Sequence, residues 1–584
     1  MSNSPFGSRR GSYNGLNSSS PIHRGSEYSA VINSSPIPTT PSTPSCNFNN
    51  RNDSDGRGER LTQPLVRLGS LFSGDGMYFD IVRADRVNLK TFFLLVLTPF
   101  FAGLTTGFAM GNVSSVACGG DPSAIKEFEL PLLCSPNNSS MNARNFWWQI
   151  LQVIQVGAIV GTLLGTLVST KSGRKPSIIA GLFVIVVSGI VMAVGASSKL
   201  PKALFLARFF SGFGVGMVTH SAPLLIVETS IVRLRGVFMV IFQFFQTVGF
   251  VCVYFMSYSI YAEDKKTAGL LSGSLILTSP VIPGVLGLLF LSAVPESPRF
   301  LMEKGRFGEA GDSLRHLRSN PDSVQGEMVL IQNNLDNNEN DEGLNTSSRL
   351  KVCVGVVLSV LHSLCGFSVV LTYGPFLFSL VSPSDGFSVF RWVFMTLCVC
   401  AAFAVPLVYY FLRRTILLAG NLLMAVASGV VVFSFKNGAH SSTVGPERTL
   451  LFVLGIHMFV AAYASTWGGV GSLVKTELFP QTYRAMMVGV SDFLSNVIVL
   501  GIIVYLPSLP VVVVFCSIAV ANLLGLLLYS ILLRNKQEGY GRSLEEIELD
   551  YFRSKNKQYT IDGARIDNTN GFDHGGGRQH AALY

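Results

Sequence analysis

Apolar residues in this chain gather into long runs, and polar residues gather between them. Twelve runs stand out, at roughly 91–111, 146–168, 177–197, 203–227, 237–261, 268–294, 352–381, 387–411, 415–435, 449–473, 485–506 and 510–533. Each is long enough, at about 20 residues, to cross a ~30 Å hydrocarbon core as a helix. The last two are parted only by a short Pro507…Pro510 turn. The pattern predicts an all-α membrane protein with twelve transmembrane helices. Polar segments frame them. Residues 1–80 are rich in Ser, Pro, Asn and Gly, cannot bury a core and are expected to be disordered. Between the sixth and seventh runs, Phe307 to Leu317 has helical apolar spacing, while Asn333–Asn345 reads as linker.

Basic residues sit in alternate short loops: Arg83, Arg86 and Lys90 before the first run, then Lys171, Arg174 and Lys175, then Arg233 and Arg235, then Arg413 and Arg414, then Arg534 and Lys536 after the last. The positive-inside rule places these loops and both termini in the cytoplasm. Charges also repeat. Glu228 and Arg235 recur as Glu477 and Arg484, 249 residues on; Arg174-Lys175 recurs as Arg413-Arg414, 239 on; Glu296 recurs as Glu538, 242 on. Nearly one offset met three times implies two homologous, pseudo-symmetric six-helix halves, with a substrate site between them at mid-membrane. The expected boundaries are a cytoplasmic tail at 1–90, a first half at 91–302, a linker at 303–350, a second half at 351–534 and a second cytoplasmic tail at 535–584.

Composition agrees with this reading. Of 584 residues, 48% are hydrophobic and only 14% charged, where soluble domains carry about 25%. The net charge of +9 lies in the loops, so it is not a nucleic-acid footprint. Most of the nine cysteines fall within apolar runs as small fillers. Cys118 and Cys134 flank the first outer loop and are a candidate disulfide, and Asn137-Asn138-Ser139-Ser140 there offers two overlapping glycosylation acceptors, Asn137 and Asn138. With a polar amino terminus, no cleavable signal peptide is expected. Arg9-Arg10-Gly11-Ser12 and the Ser/Thr-Pro pairs at Ser20, Ser35, Thr40 and Thr43 make the tail either a kinase target or an unregulated solvated segment. No P-loop, metal-ligand cluster or carboxylate dyad is present in the sequence pattern, so no enzyme activity, cofactor or metal is expected.

The string Pro295-Glu296-Ser297-Pro298-Arg299-Phe300-Leu301 closes the sixth run. Arg208…Gly212…Gly216…Pro223…Glu228…Arg235-Gly236…Gln243…Gly249 fills the fourth and fifth, Glu477-Leu478-Phe479-Pro480…Arg484 follows the tenth, and Gly541-Arg542-Ser543-Leu544-Glu545-Glu546-Ile547 lies near the end. Together they resemble the glucose-transporter-like sugar porters of the major facilitator superfamily, over about residues 90–550. The resemblance implies the major facilitator fold and transport of a sugar by alternating access. It implies that Arg174, Glu228, Arg235, Glu296, Arg299, Arg414, Glu477 and Arg484 pair at the cytoplasmic end as an inner latch. It also implies a sugar contact for Gln243, which lies eight residues, about 12 Å, beyond Arg235. Gln246, one turn on, joins it as a candidate. Gln149, Gln152 and Gln155 share a face and either line the outer vestibule or hold a neighbouring helix.

The seventh run departs from the family pattern. His362, Ser363 and Ser368 stand where amides are expected; only Gly366 and Tyr373 match. In the tenth, Trp467-Gly468-Gly469 replaces a proline-bearing bend, and Trp467 offers its ring to substrate or to lipid. Asn496 is a further candidate contact. Proton symporters of the family carry an acid where this chain has Ala109, and a second acidic position is Thr170, which favours facilitated diffusion. Asp492 and His362, ionisable within apolar runs, keep proton coupling open. The expected substrate is a hexose or similar sugar, and the expected location is the plasma membrane. The alternatives are a symporter, a carrier of a polyol or organic ion, and a non-transporting nutrient sensor.

Overall fold

The computed structural model describes residues 88–119, 141–198, 200–263, 270–339, 346–381, 386–435 and 448–532. Cys134, Asn137, Asn138, both tails and the side chain of Cys118 lie outside these. The first half comprises α1 (Leu89–Gly119), α2 (Met141–Lys171), α3 (Arg174–Ser197), α4 (Pro201–Thr229), α5 (Arg235–Glu263) and a broken sixth span, α6 (Leu270–Thr278) with α7 (Val281–Leu291). Three shorter helices follow: α8 (Pro298–Glu303), α9 (Phe307–Leu317) and α10 (Pro321–Glu339). The second half comprises α11 (Thr346–Leu364) with α12 (Phe367–Val381), α13 (Gly386–Tyr410), α14 (Arg413–Ser434), α15 (Thr449–Ser465) with α16 (Trp467–Leu478), α17 (Arg484–Tyr505) and α18 (Val511–Leu532). Among the described residues, twelve spans are long and apolar enough to cross a membrane.

Three spans are interrupted, each for a local reason. Pro280 lacks an N–H and parts α6 from α7. Gly366 has φ +96°, a left-handed turn that glycine tolerates, and it separates α11 from α12. Thr466, at φ −126° and ψ −71°, cuts the tenth span just before Trp467. Broken spans expose backbone groups, which membranes tolerate only inside protein or beside a cavity.

The linker differs from expectation. Asn333–Glu339 is helical, not linker, because α10 runs through it. Leu330 and Ile331 are buried and carry the helix into the polar run, with Ile331 packing beside Phe300 and Leu301. Packing here outweighs the weak helix preference of asparagine.

Within the first half, α2 and α4 meet backbone to backbone through glycines. A Cβ at Gly216 would fall on the Ala158 carbonyl oxygen and lie 2.9 Å from Thr162 N. Small residues permit such approach where water supplies no driving force between helices. Gly216→Val therefore has no room. It is expected to destabilise the protein by about 1–3 kcal/mol or more, as overpacking does, read as a lowered melting temperature in detergent.

Candidate functional site

The charged end is built from helix termini. Arg174 opens α3 and Glu228 lies near the end of α4. They form a fork, with Arg174 Nε 3.0 Å from Glu228 Oε2 and Nη2 3.1 Å from Oε1. The Pro295–Leu301 string completes this cluster. Ser297 caps α8 and donates its hydroxyl to Glu228. Arg299 donates to the Glu228 carbonyl oxygen at 2.7 Å and lies 3.5 Å from Glu327 of α10. Phe300 lies beneath Arg174, 4.8 Å from ring centroid to guanidinium.

Glu296 takes a different part from the latch expected of it. Its carboxylate accepts from the backbone N–H of Arg174 and Lys175, each at 3.1 Å, and from Ser297 at 2.9 Å. It caps α3 within its own half, at the positive pole of that helix. Burial pushes its carboxyl above the usual range, against the opposing pull of these N–H groups. The folded state therefore holds a proton more tightly than the unfolded chain, and ionisation costs stability as pH rises. Glu296→Gln keeps an acceptor and removes that cost. Its melting temperature relative to the natural protein should climb as pH rises through the carboxylate range, with transport retained.

The second half repeats the motif with a change. Glu477 closes α16 and pairs with Arg413, which opens α14; its other oxygen lies 3.3 Å from Arg235 of α5, in the opposite half. The sequence singled out Arg414, but the residue on Glu477 is Arg413. Adjacent positions on a helix point about 100° apart. Arg413 is buried, whereas Arg414 is half-buried and donates to the Ser530 carbonyl at 3.0 Å. Arg484 donates to the Phe479 carbonyl at 3.2 Å and adds its charge to the field at Glu228.

Deeper in, Gln243 is buried on α5 with its amide against Gly468 of α16, where any side chain would overlap it. Gln246 Nε2 is 3.7 Å from Met110 Sδ. Across from them, Trp467 is buried, not lipid-facing: its Nε1 donates to the Leu417 carbonyl at 3.3 Å and its ring lies 5.4 Å from His362. His362 Nε2 is 3.3 Å from the Tyr463 hydroxyl, and Tyr463 stacks on Phe367. Ser363 pairs with Ser495 at 2.6 Å; Ser368 Oγ has no hydrogen-bond partner among the described residues.

Asn496 does not join this group. It bridges the halves instead, accepting from Gln155 Nε2 at 2.8 Å and donating to Thr162 Oγ1 at 3.1 Å. Gln155 thereby holds a neighbouring helix. Asp492 is held by Lys475 and lies 3.3 Å from His220 Nδ1. Neither partner was singled out from sequence; the available signal was a lone histidine inside an apolar run and a lone lysine just past the end of another. At the end remote from the charges the halves also touch. Trp148 stacks on Tyr373 at 5.2 Å, Tyr254 meets Phe394 at 4.3 Å, and Arg391 lies 3.4 Å over the Tyr258 ring. A polar and aromatic layer thus lies between two closures.

The sequence signature described as Sugar (and other) transporter matches residues 95–551. The chain belongs to this family. The family is the sugar porters of the major facilitator superfamily. Its relatives include the D-xylose-proton symporter of Escherichia coli K12, 25% identical over 69% of this chain and 83% of that protein. The high glucose sensor RGT2 of Saccharomyces cerevisiae is 25% identical over 71% of this chain and 54% of its own. In fold, the proton:xylose symporter XylE bound to 6-bromo-6-deoxy-D-glucose superposes with a TM-score of 0.67 at 22% identity, covering 80% of this chain and all of that one. The inward-open form of XylE from E. coli gives 0.56 at 21%, over 81% and 99%. The fold is the major facilitator fold, and the chain is an integral multi-pass membrane protein.

The corrected pairing has a direct test. Arg413→Ala breaks a buried ion pair and should cost about 3–5 kcal/mol. Arg414→Ala should cost less, about 1 kcal/mol, as for the loss of one hydrogen bond to a carbonyl. Paired thermal melts would reverse in order if Arg414 were the partner of Glu477.

Proposed function

We propose that this porter carries a hexose or similar polyhydroxylated sugar across the membrane by alternating access, as facilitated diffusion. The observation that carries the reading is the layer of Gln243, His362 and Trp467 between the halves, enclosed by the Arg235–Glu477 pair on one side and the Trp148–Tyr373 stack on the other. Hydroxyl-rich rings need such amide and imidazole groups for their edges and an aromatic wall for their C–H faces. Gln246, Ser363 and Ser368 complete the candidate contacts. Arg174, Glu228, Arg235, Arg413, Glu477 and Arg484 form the inner latch. Ion pairs at a membrane edge can bias a two-state rocking, since water releases them.

Facilitated diffusion is favoured because Ala109, buried on α1, offers only its carbonyl oxygen, which accepts from Arg208 at 2.7 Å. The charged end faces the cytoplasm by the positive-inside rule, in the plasma membrane, with Asn137, Asn138 and the Cys118–Cys134 pair outside. The flanking tails at 1–90 and 535–584 and the 303–350 linker then lie in the cytoplasm, where kinases reach the first tail.

The test is uptake of radiolabelled glucose into proteoliposomes, with and without an inward proton gradient. Uptake should saturate and ignore the gradient. Gln243→Ala should raise KM about two- to tenfold, the equivalent of one lost hydrogen bond. Accumulation that requires the gradient would make the protein a symporter. Absence of uptake would refute glucose and call for a screen of other solutes.

A further inference from the structure

Three ionisable residues from three separate membrane spans meet between the halves. His220 lies mid-way along α4, Lys475 on α16 and Asp492 on α17. Lys475 Nζ bonds one carboxylate oxygen of Asp492, and His220 Nδ1 lies 3.3 Å from the other. The lysine and the aspartate belong to the second half, the histidine to the first. Nothing in the transport layer described above uses them.

Their depth is informative. His220 is eight residues before Glu228, Asp492 eight after Arg484 and Gln243 eight after Arg235. At 1.5 Å per residue all three lie about 12 Å inside the charged end. The cluster is therefore level with the amide of Gln243. It is also linked to it. Gly468, Gly471 and Lys475 stand at i, i+3 and i+7 on α16, so they share one face. Gly468 carries the Gln243 amide, a Cβ at Gly471 would meet the Trp467 ring and lie 3.5 Å from His362 Nδ1, and Lys475 holds Asp492.

The division of labour follows from where each partner sits. A carboxylate inside a membrane is expensive unless paired. Lys475 supplies that pairing from the same half, so it persists whatever the first half does. The His220 contact exists only while the halves are together at this depth. His220 is fully buried, and its Nε2 has no hydrogen-bond partner among the described residues. A buried polar atom without a partner favours any state in which water reaches it. The closed arrangement is thus held by one bond to Asp492 and opposed by one unmet nitrogen, the balance a releasable contact needs. Other groups face the cluster among the described residues. His362 of α11 feels both Lys475 and Asp492, α2 presents Thr166 against Gly489 one turn before Asp492, and α3 presents Ser177, bonded to Ser221.

We propose that the His220–Asp492 contact is a second inner lock, set inside the membrane, with Lys475 as the fixed counter-ion of Asp492 and α16 as its link to the sugar layer. The lock rests on the alternating-access reading above, but its test requires no sugar.

Spin labels at Arg233→Cys and Thr482→Cys, exposed positions on the two halves at the charged end, would report the distance between them in reconstituted full-length protein freed of its native cysteines. The starting protein should give mainly the short distance. His220→Leu should raise the ratio of long to short about tenfold. His220→Asn, whose amide can again donate to Asp492, should return it. If His220→Leu does not fold, the double variant Lys475→Met/Asp492→Leu removes both charges and the acceptor from the other side and should also shift toward the long distance. An unchanged distribution in the folded variant, or an Asn variant that behaves like Leu, overturns the lock. A wild-type protein that switches distance but moves no glucose would instead refute the substrate.

Discussion

A carboxylate buried at a helix end has to find cations, and two such carboxylates organise this molecule. Glu228 takes its directly bonded cation, Arg174, from its own half, and Arg484 of the opposite half and Arg299 of the following segment add to the field at its carboxylate. Glu477 stands at the equivalent position and takes one arginine, Arg413, from its own half and another, Arg235, from the opposite one. The internal repeat therefore produces a likeness with one difference: the opposite-half arginine is in direct contact at Glu477 and acts only through its field at Glu228. Removing one partner from either site leaves a charge without compensation in a poorly hydrated place, which costs far more than a surface pair yields.

The Pro295–Leu301 string gains its meaning from the same carboxylates. Glu296 serves the start of α3, Ser297 and Arg299 serve Glu228, and Phe300 lies under Arg174. One short segment thus fixes two helix termini and anchors the linker helices through Glu327. Its residues work within a half, so they preserve the shape of a rigid body. Arg235 and Glu477 work between halves.

Much of this was legible in the chain because it depends on local spacing. Apolar runs and their flanking charges carry the twelve spans, and the recurring offset carries the two halves. What escaped depends on three-dimensional phase. Arg413 and Arg414 are adjacent and chemically identical, and only the rotation of α14 decides which meets Glu477. Lys475 and Asp492 are parted by a helix end and a turn, and no spacing rule brings His220 to them from 272 residues away. Asn333–Glu339 looked like linker because composition was weighed without the apolar face of α10 just upstream. Gln155 and Asn496 were read separately, as a lining residue or helix tie and as a sugar contact, although they bond to each other.

That last bond says something about the motion itself. Gln155, Thr162 and Asn496 join α2 to α17 in the middle stretch of both helices. When two rigid bodies tilt against each other, points near the axis move least and points at the ends move most. A short, directional amide contact survives only near such an axis, while charges and stacked rings suit the ends, where contact is repeatedly made and lost. Under the alternating access proposed above, the Gln155–Asn496–Thr162 contact is the fulcrum of a lever, and the two closures lie toward the ends of its arms.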